Sequence, residues 1–191
     1  MDPLYPAAHA FESRCYTLFM FMEKADSVRD FLSNSAPIIA AFNTFCRKHN
    51  LGTFAAADHL GFRCGSHATF LKVHAVFTEE STYIYQSIIS GRPIAIIKLK
   101  HPLETLAGPL WFVELADQKP DGSQTEGFDH IEIVPIEMAC GALKAKLETK
   151  GERVEQKIRP HHTTYDVQLA GLVVRLEEEP LIQKVKRAEM I

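Results

Sequence analysis

The sequence contains an internal repeat whose two copies each begin with an Asp-His pair and end with a glutamate in an apolar run. The first copy opens with DHLGF at 58–62 and the second with DHIEI at 129–133. The closing runs are WFVEL at 111–115 and VVRLE at 173–177. The spacing between opening and closing blocks differs between the copies only by the length of a short loop. Internal duplication of one structural unit explains this pattern.

Hydrophobic periodicity gives both copies the same order of elements, one strand, one helix and three further strands. In the first copy the pattern predicts a strand at 54–63, a helix at 68–80 and strands at 82–89, 93–99 and 110–115. In the second it predicts a strand at 128–135, a helix at 137–150 and strands at 153–158, 163–169 and 172–178. The sequence therefore predicts an α+β fold in which paired βαβββ modules form a curved mixed sheet around a cleft.

The segments outside the repeat divide the chain further. Residues 1–52 are predicted to form an N-terminal helical arm packed on the domain, with Pro37 breaking or restarting its helix. The domain then occupies 53–191. Within it, module one spans 53–116, a polar linker rich in turn-forming residues spans 117–127, and module two spans 128–182.

Composition narrows the classes of partner and compartment. A formal net charge of −3 over 191 residues gives no broad basic field, so nucleic acid is not expected as a partner. The longest apolar run, at 15–22, is too short to cross a bilayer, so no membrane partner is expected. Four cysteines without a CxxC pair are typical of reduced thiols, which predicts a cytoplasmic protein. The oligomeric state stays open.

Strand alternation indicates which repeated side chains share a face. His59 shares one with Gly61 and Arg63, and His130 shares one with Glu132. If the two modules pair, these polar faces line a common cleft. We therefore predict a divalent metal site formed by four ligands, two imidazoles and two carboxylates: His59, Glu114, His130 and Glu177. This donor set suits Zn, Mn, Fe, Co or Ni and does not choose among them.

Other polar residues have both a catalytic and a structural interpretation. Glu132 faces the same cleft and is the predicted catalytic base, while the alternative is a salt bridge with Arg63 or Arg175. Three arginines are predicted to bind an anionic group of the substrate: Arg63, Arg92 and Arg175. Balancing buried carboxylates is the equally weighted alternative for these arginines.

Four blocks in order, ADHLGFRC at 57–64, SGRPIAIIKL at 90–99, WFVEL at 111–115 and GFDHIEIV at 127–134, carry a family resemblance. Over roughly residues 50–180 the chain resembles the vicinal oxygen chelate superfamily and, within it, the YecM-like family. The resemblance implies paired βαβββ modules whose concave faces surround a metal. It implies ligands at His59, Glu114 and His130, and less firmly at Glu177.

The resemblance and the predicted site together give two functional hypotheses. The first is a metal-dependent enzyme acting on a small oxygen-chelating molecule, of isomerase, epimerase, lyase or dioxygenase type, with the cation as Lewis acid. The second is a non-catalytic protein that binds a metal or a metabolite in the same cleft. Fold alone does not separate them.

Overall fold

The computed structural model describes residues 27–158 and 163–189. The first 26 residues of the predicted helical arm, with the apolar run at 15–22, lie outside the described residues. The prediction that the chain divides at residue 52 stays a prediction. No helix within the described ranges is both long enough and apolar enough to span a membrane.

The described residues form five α-helices, one short 3-10 turn and eight strands. Before the repeat come α1 (Val28–Ser33), α2 (Ala36–His49) and the 3-10 turn (Leu51–Thr53). Module one contains β1 (Ala55–Arg63), α3 (His67–Glu80), β2 (Ser81–Ile89), β3 (Arg92–Leu103) and β4 (Leu110–Ala116). Module two contains β5 (Gly127–Pro135), α4 (Cys140–Thr149), β6 (Val154–Ile158), β7 (Thr163–Leu169) and β8 (Leu172–Leu176). A last helix, α5, spans Leu181–Glu189.

All eight strands belong to one curved sheet with the order β2-β3-β4-β1-β5-β8-β7-β6. Within each module the first strand pairs in parallel with the last, β1 with β4 and β5 with β8. The two modules meet through the antiparallel pairing of β1 with β5. The predicted fold of paired βαβββ modules in a curved mixed sheet is confirmed, and it brings the two Asp-His pairs onto adjacent central strands.

One face of the sheet is apolar and covered by helices. In module one, Phe31 of α1 and Phe70 and Phe77 of α3 form a buried cluster with Phe62 of β1, and Phe31 and Phe62 are in edge-to-face contact at 4.8 Å between centroids. In module two, residues of α2 and α4 pack on β5 and β8, among them Phe42, Leu143, Ile131 and Val174. Burying each such side chain contributes roughly 1.5–3 kcal/mol. The opposite face therefore carries the polar residues of the repeat.

Capping residues and a proline mark the ends of α1 and α2. Ser27 caps α1 by accepting the Asp30 amide, and Pro37 stands in the first turn of α2, where the lack of an amide hydrogen is harmless. The predicted restart at Pro37 is thus confirmed. Asn50 ends α2 in the left-handed conformation at φ 52°, which a helix C-cap favours.

Three boundaries differ from the sequence prediction by two or more residues. The module-two helix begins at Cys140 and not at 137, because Glu137 has φ 55° and is not helical. Strand β8 ends at Leu176, and β3 continues to Leu103. Helix α5 was not predicted, because its nine residues, four of them charged, form an apolar repeat too short to count.

Candidate functional site

Four polar side chains lie together on the central strands β4, β1 and β5. His59 of β1 is paired with Glu132 of β5, and Gly61 of β1 is paired with both Glu114 of β4 and His130 of β5. Residues paired across strands point to the same face of a sheet. The two histidines and two glutamates therefore share the face opposite the helix-covered core.

A β-bulge precedes each histidine. On β1 the pairing with β5 skips Asp58, and on β5 it skips Asp129, so each aspartate is the extra residue of a bulge. The bulge lets each aspartate turn back to its own histidine, although adjacent strand residues ordinarily point to opposite faces. Asp58 Oδ2 lies 2.8 Å from His59 Nδ1, and Asp129 Oδ1 lies 2.8 Å from His130 Nδ1.

The other imidazole nitrogens face the two glutamates. His59 Nε2 lies 4.0 Å from Glu114 Oε2 and 3.7 Å from Glu132 Oε2. His130 Nε2 lies 4.0 Å from Glu114 Oε1 and 3.9 Å from Glu132 Oε1. Both Nε2 atoms are buried and have no hydrogen-bond partner. Each glutamate thus lies beside both imidazoles, with one carboxylate oxygen facing each Nε2 atom.

Gly61 makes room for this arrangement. A Cβ atom at position 61 would overlap the imidazole ring of His130, which lies directly against the Gly61 backbone. The equivalent position in module two, two residues after His130, carries Glu132. The duplication is therefore asymmetric at the site, since a missing side chain in one module admits the histidine of the other.

The negative charge of the cluster favours a cation. Burial opposes protonation of His59, but the charges of Glu132 and of Asp58 and Glu114 outweigh it and raise the pKa of His59 to about 9. Burial alone would raise the pKa of Glu132, but the charges of His59, His130 and Arg175 lower it. Both pKa shifts have the same cause: the carboxylates of this buried site stabilise positive charge beside them.

The register of β8 differs from the correspondence drawn from sequence. His59 is paired with Phe112, two residues before Glu114, whereas His130 is paired with Val173, two residues before Arg175. Arg175, and not Glu177, therefore occupies the place equivalent to Glu114. Alternation could not detect the two-residue shift, because moving a strand by two residues keeps its side chains on the same face.

Glu177 is buried and forms an ion pair with Lys184 of α5 at 2.8 Å. The groups whose potential ligand atoms lie within 4.8 Å of one another are His59, Glu114 and His130 and, separately, Asp58, His59 and Glu132. The predicted ligand Glu177 belongs to neither group among the described residues. Its predicted role as a ligand stays untested.

The three predicted substrate-binding arginines all contact protein groups. Arg63 pairs with Asp129 at 2.6 Å. Arg92 donates to the carbonyl of Asp117 at 2.8 Å and to the side chain of Gln124, holding the linker. Their predicted role toward a substrate is untested.

Arg175 contacts two carboxylates. It binds Asp166 through Nε at 2.9 Å and through Nη2 at 3.1 Å, and it donates to Glu132 at 3.3 Å. The salt-bridge alternative for Glu132 is therefore present, with Arg175 as the partner. This pair fixes Glu132 toward the imidazoles.

The donor set fits a divalent metal ion. Nitrogen and carboxylate donors of this kind suit Zn²⁺ and its neighbours. A ligating imidazole characteristically donates its second N–H to a carboxylate, which sets the tautomer and the ring orientation. Asp58 and Asp129 are placed to accept such bonds. Sequence reasoning gave these aspartates no role, although the repeated Asp-His pair was the signal that could have assigned one.

Comparisons with known proteins agree on the family. A family model described as YecM protein matches residues 37–184. Protein YecM of Escherichia coli (strain K12) is 30% identical over 113 residues, and the alignment spans 59% of this chain and 60% of that relative. The chain thus spans less than two thirds of the curated relative's length.

Comparison with solved structures shows which proteins share the fold. A structural genomics protein, EC4020, is 23% identical with a TM-score of 0.65, and the match covers 85% of this chain and 92% of that one. A Streptomyces coelicolor methylmalonyl-CoA epimerase in complex with 2-nitronate-propionyl-CoA is 19% identical, with coverage of 64% and 96% and a TM-score of 0.43. The first of these likenesses shows a shared fold. Because the family model covers well over half of the sequence, the chain belongs to the YecM family, as the four sequence blocks predicted.

Proposed function

We propose that this chain is a divalent-metal-dependent enzyme that acts on a small molecule bound through two oxygen atoms, of the isomerase, epimerase or lyase type. The observation that carries the proposal is the pair of buried histidine Nε2 atoms without hydrogen-bond partners, directed at two carboxylates. A buried polar atom left without a partner costs free energy, so its persistence calls for a ligand.

In this proposal, His59, Glu114 and His130 hold the ion, and Asp58 and Asp129 keep both imidazoles in the tautomer that leaves Nε2 available. A bound divalent ion supplies Lewis-acid stabilisation of negative charge developing on a substrate oxygen. Glu177 is left out of the set because Lys184 already neutralises it.

Glu132 is the proposed proton acceptor. Its carboxylate lies within 4 Å of both imidazoles and is held by Arg175 at 3.3 Å. A glutamate carboxylate is ionised at neutral pH, so Glu132 is available to take a proton from a carbon next to a carbonyl. Arg175, balanced by Asp166, serves in this proposal to orient Glu132.

Elemental analysis of protein purified without added metal or chelator tests the metal site. We expect about one transition-metal ion per chain in the wild type and a strong loss in both His59→Ala and His130→Ala. A metal content unchanged in both variants would overturn the assignment. Glu148→Gln, which alters an exposed carboxylate paired with Lys144, is the matched control and should retain the metal.

Glu132→Gln separates the role of base from that of ligand. If Glu132 accepts a proton, the variant retains its metal but loses exchange of substrate carbon-bound hydrogen with deuterated solvent. Loss of the metal in this variant would instead assign Glu132 to coordination.

Relaxation of water protons by the Mn²⁺-loaded protein supplies a further readout, because fast-exchanging water indicates a position open to substrate. A closed coordination sphere would favour the non-catalytic alternative.

A further inference from the structure

Helix α5 lies across the metal-site face of module one. Val185 of α5 is buried against three residues that point to the same face as Glu114, namely Ile94, Ile96 and Ala116. Leu181 and Ile182 of the same helix are partly buried in this cluster. The helix therefore covers the part of the cleft that adjoins Glu114.

The first residue of α5 is hydrogen-bonded to the site. The backbone N–H of Leu181 donates to Asp58 Oδ2 at 3.0 Å, and the same oxygen lies 2.8 Å from His59 Nδ1. One carboxylate oxygen thus serves both the start of the helix and the orientation of a proposed metal ligand. Asp58 is mostly buried, with 9% of its side chain exposed, so water does little to replace either partner.

Two further contacts hold the helix down. Lys184, on its second turn, binds Glu177 just beyond the end of β8 at 2.8 Å. At the far end the hydroxyl of Tyr83, on β2, donates to Glu189 at 2.6 Å. The helix is therefore attached on both sides of the candidate site, to β1 and β8 at its start and to the edge strand β2 at its end.

We propose that α5 is a lid whose docking is coupled to metal binding, with the Leu181 N–H as a positioning group that acts through Asp58 on His59. This inference rests on the proposed metal site. A metal on Nε2 requires Nδ1–H to point at Asp58, and the Leu181 N–H holds Asp58 in the position that accepts it. Because coupling between two binding events is reciprocal, metal binding stabilises the docked helix to the same extent as docking favours the metal.

The substitution pair Leu181→Pro and Leu181→Ala isolates the N–H donor. Proline is tolerated at the first position of a helix, and it removes both the backbone N–H donor and the leucine side chain. Alanine removes the leucine side chain but keeps the N–H donor. The measurements are Zn²⁺ affinity, by competition with a chelating dye, and hydrogen–deuterium exchange of the α5 amides with and without Zn²⁺.

We expect Zn²⁺ to slow exchange in α5 of the wild type and of Leu181→Ala by about tenfold or more. In Leu181→Pro this protection should be lost and the dissociation constant for Zn²⁺ should rise about tenfold over that of Leu181→Ala, the lower end of the usual effect of outer-sphere partners. Equal Zn²⁺ affinity and equal protection in the two variants would overturn the lid. Failure of the wild type to bind Zn²⁺ would overturn the proposed metal site and the lid with it.

Tyr83→Phe gives a second test that leaves Asp58 and the helix start untouched. Loss of the Tyr83–Glu189 bond should accelerate exchange in α5 and speed the release of Zn²⁺ to a chelator. Lys186→Ala, an exposed position on the same helix, is the matched control and should leave both rates within about twofold. A Tyr83→Phe protein that releases Zn²⁺ at the wild-type rate while α5 exchanges faster would separate helix docking from the site and overturn the coupling.

Discussion

Gly61 determines whether the two modules can share one site, because the His130 ring lies against its backbone. Gly61→Ala adds a single methyl group and removes no candidate ligand. We expect the alanine to push the imidazole away from Glu114, lowering Zn²⁺ affinity at least tenfold and costing about 1–3 kcal/mol of stability through overpacking. Dye competition and denaturant unfolding measure the two effects.

The matched control for this residue is Gly141 in α4, where an added Cβ meets no atom within 4 Å. Gly141→Ala should leave Zn²⁺ affinity unchanged and stabilise the helix by up to about 1 kcal/mol. Wild-type affinity in Gly61→Ala would mean that the position of the His130 ring does not matter for the ion. That result would remove the steric explanation for the glycine.

At the scale of elements, the paired bulges in β1 and β5 bring each aspartate beside its histidine. Asp129→Asn keeps the size of the side chain but removes the charge that orients His130 and pairs with Arg63. We expect Zn²⁺ affinity to fall roughly 10- to 100-fold while the fold is retained. Dye competition measures the Zn²⁺ affinity, and a thermal melt of the metal-free protein measures whether the fold is retained.

Asp121→Asn, in the exposed linker and bonded to Ser123, is the control for a lost aspartate charge and should bind Zn²⁺ like the wild type. Equal affinities in Asp129→Asn and Asp121→Asn would contradict an orienting role for the bulge. If Asp129→Asn alone weakens binding, the repeated Asp-His pair is a functional unit, and both of its residues belong to the site.

How much of the molecule was predictable also depends on the elements. The two βαβββ modules follow from apolar periodicity, and the positions of His59 and His130 follow from the repeat, so the fold and the meeting of these histidines with Glu114 were predictable. The alternation of side chains between the two faces of a strand could not reveal the bulges, because each bulge inserts one unpaired residue and shifts the alternation by one position. It also could not fix the register of β8, where a shift of two residues keeps the same face and exchanges Glu177 for Arg175.

Helix α5 was missed for a different reason. Its apolar residues Leu181, Ile182 and Val185 have helical spacing, but nine residues are too few for this pattern to predict a helix, and the stability of the helix comes from packing on distant strands. Only one residue of α5, Val185, is buried. The carboxylate that joins the helix to the site, Asp58, lies more than 120 positions before Leu181 in the sequence.

For the whole molecule, the candidate site joins both modules, so an ion held there should stabilise the entire sheet against unfolding. His59 and Glu114 come from module one and His130 from module two, and the β1–β5 pairing between the modules is the seam that the ion would bridge. An ion that binds only the folded chain, at 100 times its dissociation constant, stabilises by about 2.7 kcal/mol. For a domain of this size that corresponds to a rise in Tm of roughly 5–10 °C.

Thermal melts with Zn²⁺, and again after excess chelator, measure this rise and its reversal. His130→Ala should melt at the same temperature with and without Zn²⁺, because the ligand supplied by module two is gone. A rise of the same size in His130→Ala would place the stabilising ion elsewhere on the chain. A rise in the wild type that disappears in both His59→Ala and His130→Ala would show that one ion depends on both halves of the duplicated sequence. Gly61, which stands where module two has Glu132, makes this possible because it leaves room for the His130 ring.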